Sequence, residues 1–447
     1  MSANSPVEST RSWQFASILL GLPLLGWFLR LSLTGWVPQG DWAVGAVKTH
    51  DAFSQHLQLL GMPSTSGNEI AGAALQHFGP VVFQFGWLPY QISGFAPWGI
   101  LFGSGLLVWL LMVVGLRAAQ SVAGRNAVVV LAAVYLVMEI VLRGFLVTNW
   151  NPFPVVVAIP ALLLIGAAIL TGERWWWAAF VAVGSVAAQA HLLGALLTAA
   201  IGFGVLAIGL RRRLLIWPKL GEVALSLAVL IACWWAPALD VITRDTNNFD
   251  QVRNYLGGER TAEAASINWL SIAIYLALIT VLIRSRKLRQ FGPLVDLVIW
   301  SLAVLVLILV VFPSRQVYLV MALGIPLLSV SMLSLSYLKR FLVPRWRNVA
   351  LAALAVIVLF APTTIGAYKS LYEASAKATG QVNSALADID QQESVFVEGI
   401  GVMAAGGVGP AVQVALVADG WFAARNEFTA DPDQAFRDEV RDGPYIL

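Results

Sequence analysis

The sequence predicts an all-α polytopic membrane protein with a small α/β appendage at its C-terminal end. Hydrophobic residues make up 58% of the 447 residues and charged residues only 12%. A soluble domain carries about 25% charged residues, so this chain cannot cover a water-exposed surface. The apolar residues fall into runs of spanning length, a transmembrane helix needing about 20 of them. Many of the 18 tryptophans, among them Trp36, Trp98, Trp150 and Trp217, stand near the ends of those runs, where an interfacial aromatic belt belongs.

Taken in order, the chain is polar up to Ser12. The first apolar run, Trp13–Leu33, has no small-residue cleavage site behind it and reads as an uncleaved helix, not a signal peptide. A polar loop follows from Thr34 to His77. Phe78–Ile92 is apolar but short, and Pro80, Gly86 and Pro89 interrupt it, which suits a half-buried or re-entrant helix. Further spans are expected at Trp98–Leu116, Ala127–Leu142, Pro154–Leu170, Trp175–Ala190, Leu192–Leu210, Val223–Leu239, Ile267–Ile283, Leu294–Phe312, Val317–Leu335 and Val349–Ile365. The total is about eleven by the same length rule. The single cysteine, Cys233, lies in an apolar run and reads as a small core residue. No internal repeat is visible, so an inverted-repeat transporter architecture finds no support.

Basic residues fix the expected orientation. With the N-terminus cytoplasmic, one face carries Arg11, Arg117, Arg125, Arg174, Arg211–Arg213, Lys219, Arg284, Arg286, Lys287 and Arg289. Lys339, Arg340, Arg345 and Arg347 join them. The opposite loops hold only Lys48, Arg143, Arg244, Arg253, Arg260 and Arg315, as the positive-inside rule requires. The net charge of +3 is spread over short loops and suggests no nucleic-acid partner. The Thr34–His77 loop, the Asp240–Asn268 loop and the C-terminal tail then face outward. Residues 1–367 are expected to form the bundle, with 34–97 as its first extracytoplasmic loop, and 368–447 a small extracytoplasmic domain. The tail turns acidic, with eleven acidic and three basic residues from Asp388 onward. It suggests a strand at Ser394–Gly399, a helix at Pro410–Ala418 and an extended Trp421–Phe428.

Titratable groups gather at one mouth. Three of the four histidines, His50, His56 and His77, lie in the first loop with Asp41, Asp51, Glu69 and Lys48. Ionisable groups near a membrane are costly and mark sites or pathways. Asp41 follows the first helix closely; a carboxylate there can take a proton from a hydroxyl on a membrane-borne substrate, or it can cap the next helix. Asp51 is the competing carboxylate, or else a solvated or capping residue. The histidines suit divalent metals in general, but their spacing matches no tight metal motif, so a divalent cation remains open beside a solvated loop. Gln76 and His77 could hydrogen-bond a phosphate or sugar. Glu139 and Arg143 are spaced to pair on one helix; alternatively Arg143 holds a phosphate, for which a guanidinium is suited. Asn151 precedes Pro152 at a helix start. Gln189 and His191 lie where two helices meet, either as satisfied core groups or facing the same mouth. Arg30 and Arg315 are further cations on that side.

The order of these residues resembles the GT-C superfamily of membrane glycosyltransferases, specifically the actinobacterial polyprenyl-phosphate-sugar-dependent enzymes. Gly40-Asp41-Trp42 is similar to the family's aspartate in the first outer loop. His77-Phe78-Gly79-Pro80 resembles a histidine-proline-glycine-proline element, with Phe78 in place of the first proline. Trp150-Asn151-Pro152, Gln189-Ala190-His191 and Trp235-Ala236-Pro237-Ala238-Leu239-Asp240 with Asn247-Asn248 resemble further elements of the group. The likeness covers most of the chain. It implies a GT-C-like fold in a bacterial plasma membrane and inverting transfer from a lipid-phosphate sugar on the extracytoplasmic side. Asp41 would be the base, or Asp51 in its place. Arg143, His77, Gln76, Asn151, Gln189, His191 and Arg315 would hold the lipid phosphate or sugar. The implied partners are a polyprenyl-phosphate-sugar donor, arabinofuranose or mannose being favoured, a cell-envelope glycan or glycolipid acceptor, and membrane lipids. The rivals are a flippase of lipid-linked sugars and a non-catalytic lipid-binding partner. The charge asymmetry is directly testable: reporter fusions after Arg213 and after Leu447 are expected to report opposite sides of the membrane, and finding both on one side would remove the outward-facing mouth.

Overall fold

The computed structural model describes residues 11–54, 57–64, 75–173, 175–244, 247–257, 269–311, 319–338, 349, 352–358, 369–387, 394–397, 408–425 and 445–446. The expected all-α membrane architecture is found. Helix α1, Ser12–Leu33, buries Leu20, Leu24, Trp27 and Leu31 along one stripe, and leaves Ile18, Leu22, Leu25 and Leu29 exposed. That spacing turns one face to the bundle and the other to lipid. Two short helices follow, α2 (Asp41–Asp51) and α3 (Val81–Ile92).

The spans expected at Trp98–Leu116 and Ala127–Leu142 form one helical stretch, α4, Pro97–Leu142, broken at Ala123 (φ −148°, ψ 31°) and Gly124 (φ 56°, ψ −145°). Its halves fold against each other, since a Cβ on Gly115 would stand 2.7 Å from the Tyr135 hydroxyl. Helix α5, Pro152–Leu170, is buried at every residue. A helix apolar all round belongs at the centre of a bundle, and α4, α6 (Trp176–Ala190), α7 (Leu192–Arg212) and two later helices pack on it. One extended residue, His191 (φ −158°, ψ 142°), separates α6 from α7, so the two spans need no loop. Next come α8 (Leu220–Thr243), α9 (Asn248–Gly257), α10 (Trp269–Arg284), α11 (Pro293–Val311) and α12 (Gly324–Leu338).

By length and composition, seven of the described helices can cross a membrane, α4 with enough residues in each half for a pass of its own. At 15 and 16 residues, α6 and α10 are shorter apolar helices on the spans expected at Trp175–Ala190 and Ile267–Ile283. The span expected at Val349–Ile365 falls mostly outside the described residues. On the basic face, Arg212 pairs with Asp296 at 2.7 Å and the Lys287 ammonium lies 4.0 Å from the Tyr337 ring centre.

The tail forms α13 (Lys369–Ala385), β1 (Ser394–Val397), α14 (Gly409–Ala418), β2 (Phe422–Arg425) and β3 (Tyr445–Ile446). The sheet is parallel, in the order β2–β1–β3. Parallel neighbours need a crossover, and α14 supplies the one between β1 and β2. Val382, Leu386, Val395, Val397, Val412, Leu416 and Trp421 make a small core of their own, and α14 also packs on α2.

The α2 end of the bundle is drawn tight at Gly79, where a Cβ would collide with the Gln189 amide and Pro237. Gly79→Ala is therefore expected to lower the thermal stability of the detergent-solubilised protein, by about 1–3 kcal/mol for overpacking. Gly380→Ala, on α13 with nothing within 4 Å of the added methyl, is the matched control and should leave the melting temperature unlowered.

Candidate functional site

Asp41 is the first residue of α2. Gly40 before it takes φ 50°, a conformation that strains most side chains. The cap position belongs to Gly40, and Asp41 lies one residue inside the first turn. Its carboxylate accepts from the Trp150 indole, Nε1 to Oδ2 at 3.0 Å. The Asp41 side chain keeps an exposed edge. Desolvation by the protein around it pushes its carboxyl above the ordinary value, and the Trp150 bond acts in the opposite sense.

Trp150 belongs to the short link between α4 and α5; Thr148 closes that link on the Phe145 carbonyl, while the two asparagines beside Trp150 reach other elements. Asn149 Nδ2 donates to the Trp42 carbonyl at 2.9 Å and Asn151 Nδ2 to the Ala190 carbonyl at 2.9 Å. Asn151 is the residue before α5, as its place before Pro152 suggests, but its amide serves another helix. Phe145 lies 6.1 Å from the Trp42 ring and 6.3 Å from that of Trp150. The first turn of α2 is thus fixed against 145–151.

His77 and His191 meet, with ring centres 4.4 Å apart and planes at 34°. His77 Nδ1 accepts from the Leu192 amide at 3.3 Å and His191 Nδ1 from the Leu193 amide at 3.1 Å. A backbone N–H can only donate, so both Nδ1 atoms act as acceptors and each neutral ring carries its proton on Nε2. Each histidine therefore caps the start of α7 with one nitrogen and carries its proton on the other.

Gln189 and Gln76 serve the fold. Gln189 is fully buried, donates to the Cys233 carbonyl at 2.6 Å and accepts from the Val81 amide at 3.2 Å. It joins α6, α8 and the start of α3. The backbone of Gln76 exchanges two 3.0 Å bonds with the Asn248 side chain. Asn248 N in turn donates to Asp240 at 3.0 Å, and Asp240 pairs with Arg244 at 3.0 Å.

Asp51 departs from its expected place as a solvated or capping residue. It ends α2 at 2% exposure, 2.8 Å from His50 Nδ1. Its charge, after burial, helps raise the Tyr90 hydroxyl above its usual range. Lys48, on the same helix, is fully buried with its ammonium 3.1 Å from Gln58 Oε1. Asp51 is therefore an inside residue near Tyr90 of α3, because the last turn of α2 buries Val47, Lys48, Thr49 and Asp51.

The expected Glu139–Arg143 ion pair is not formed. Arg143 ends α4 in a left-handed backbone (φ 37°, ψ 81°), which takes it off the helical spacing, and only its amide bonds to the Glu139 carbonyl. The Glu139 carboxylate is fully buried and meets no donor among the described residues. Arg315, like His56 and Glu69, lies outside the described residues. Among the described residues no three or more His, Cys, Asp or Glu side chains group as a metal site.

The structure thus brings Asp41, Trp150 and Asn151 to one end of the bundle, with the Asn151 amide bonded to Ala190 beside the His191–His77 pair. The residue missed from the sequence is Trp150 as Asp41's partner; the density of polar residues in Thr148–Asn151 was the signal. Asn149 and Asn248 were missed too, since their partners lie about a hundred or more residues away in sequence.

No protein-family model matches the chain, and no curated protein matches it significantly. Among solved structures, ArnT from Cupriavidus metallidurans bound to undecaprenyl phosphate is similar with a TM-score of 0.59 and 16% identity, over 97% of this chain and 89% of that one. ArnT from the same organism in the apo state aligns with a TM-score of 0.46 and 18% identity, over 90% of this chain and 74% of that one. The first likeness shows that the chain has the ArnT fold.

Asp41 and Trp150 generate a pH test. A carboxylate with a raised pKa is active as a base above that value and lost as pH falls through it. The acid limb of the pH–rate profile should therefore lie above the ordinary aspartate value of about 3.9. In Trp150→Phe, which removes the bond favouring the charged form, the limb should move to higher pH; an unmoved or lowered limb counts against Asp41 as the titrating group.

Proposed function

We propose that this protein is a GT-C-type glycosyltransferase that moves a sugar from a polyprenyl-phosphate donor to a hydroxyl on a cell-envelope glycan or glycolipid. The observation that carries the proposal is the exposed Asp41 carboxylate, held by Trp150 at the head of a short helix beside a membrane bundle, on the fold of a protein captured with undecaprenyl phosphate. In the proposed reaction Asp41 accepts the proton of the acceptor hydroxyl. The acceptor oxygen attacks the anomeric carbon, the bond from that carbon to the phosphate oxygen breaks, and polyprenyl phosphate leaves as the anion. The anomeric centre inverts because attack and departure are on opposite faces.

His77 and His191, as Nε2 donors, and Arg143, as a cation off the helical register, are the groups suited to the donor's phosphate or sugar. Asn151 and Gln189 act through the backbone they hold, and Gln76 through its own backbone, which Asn248 holds. Arg315 is proposed from its sequence position alone. Arabinofuranose or mannose is the proposed sugar, on the resemblance of Gly40-Asp41-Trp42 and Trp150-Asn151-Pro152 to the actinobacterial enzymes. An extracytoplasmic site in a bacterial plasma membrane follows from the basic residues on the opposite face. Residues 1–367 are proposed as the catalytic bundle and 368–447 as a small domain.

The test is sugar transfer from a radiolabelled polyprenyl-phosphate donor in membranes. Asp41→Asn keeps the shape and the acceptor oxygen but loses proton acceptance, and the rate is expected to drop by roughly 100- to 10,000-fold with donor binding retained. Asp51→Asn is expected to act through stability of the α2–α3 contact and to leave more activity than Asp41→Asn. A fully active Asp41→Asn with a dead Asp51→Asn would move the base to Asp51. Full activity of both, with sugar moved only across the bilayer by the wild type, would replace transfer by transport.

A further inference from the structure

The C-terminal segment meets the chain just before Asp41. Gln39, two residues before it, is buried, and its Nε2 donates to Oγ of Ser375 on α13 at 2.7 Å, a contact spanning 336 residues of sequence. Ser375 is 1% exposed. The carbonyl of the same Gln39 accepts from the amides of Trp42 at 3.0 Å and Ala43 at 3.4 Å, so the residue tied to the tail also closes the first turn of α2. Around the bond, α14 packs along α2, and Tyr372 and Val414 of the tail are buried in the main core of the bundle. On its other side the same turn is held by Asn149 on the Trp42 carbonyl and Trp150 on the Asp41 carboxylate.

We propose that the C-terminal segment is a clamp that positions Asp41, with Gln39 and Ser375 as positioning residues that set where the carboxylate stands relative to the bound sugar donor. The proposal rests on the reading of Asp41 as the base. A base displaced by about an ångström forfeits much of its rate even when it is chemically intact, up to about 100-fold. A hydrogen bond buried between two elements fixes position better than an exposed one, because water cannot substitute for a lost partner. The tail would thus govern the rate without touching substrate.

The experiment is kinetic analysis of the full-length protein with a polyprenyl-phosphate donor. Ser375→Ala is expected to lower kcat by about 10- to 100-fold with the donor KM unchanged and the protein still folded at the assay temperature, and Ser375→Thr, which keeps the hydroxyl, to restore kcat. A wild-type kcat in Ser375→Ala, or equal losses in both variants, overturns the clamp. So does a loss that falls on KM and melting temperature together. Gln39→Cys with Ser375→Cys, in a Cys233→Ser background, should be joined by a short bifunctional thiol reagent in intact membranes, and absence of the cross-link overturns the contact regardless of activity. A wild-type protein without transfer overturns the base reading and the clamp with it, whereas an active wild type, an inactive Asp41→Asn and a full-rate Ser375→Ala overturn the clamp alone.

Discussion

A bilayer offers no hydrogen bonds, so each place where the chain starts, stops or turns near it must satisfy its own backbone. At the α2 end of this bundle that task falls to side chains. Asn149 covers the carbonyl of Trp42 and Asn151 that of Ala190, while Gln189 covers the carbonyl of Cys233 and the amide of Val81. His77 and His191 take the first amides of α7, and Asn248 completes the backbone of Gln76. Each of these bonds joins elements that are far apart in sequence, apart from the one His191 makes to its own helix. The helix ends are therefore knitted into one layer, and Asp41 stands on that layer.

This constraint divides the polar residues into two kinds. Those with a backbone group as partner have fixed positions and limited chemistry left. Gln189 is the extreme case, with the amide oxygen and nitrogen both engaged and Gly79 pressed against it. The histidines are intermediate: one nitrogen of each is spent on α7, which fixes the tautomer and makes the other nitrogen a donor. Asp41 is different, since its partner is an indole N–H that any competing donor can replace and its edge is exposed.

Much of the fold was legible in the sequence because apolar length is a local property. The spans from Trp13–Leu33 to Leu294–Phe312 have helical counterparts, and even the strand–helix–strand order of the tail could be read from Ser394–Gly399, Pro410–Ala418 and the extended Trp421–Phe428. The polar partners were not legible. Asp41 reads equally as a base or as a helix cap from its neighbours, and only the distant Trp150 shows what its carboxylate meets. Glu139 and Arg143 read as a pair from their spacing, which holds only while the helix continues; α4 ends in a left-handed residue at Arg143 itself. Asp51 reads as a loop carboxylate because the sequence around it is polar, although the helix it ends turns it inward against α3.

Arg143 brings the two lines together. A non-glycine residue in the left-handed region costs on the order of 1 kcal/mol, and such strain persists where surrounding structure dictates it. Here the helix must stop before Gly144 (φ 76°) so that Phe145 can pack against Trp42 and Trp150. The same turn separates a guanidinium from the carboxylate one turn earlier and leaves that carboxylate buried without a donor among the described residues. The geometry that fixes Phe145 beneath the Asp41 turn is also the geometry that releases Arg143 from Glu139.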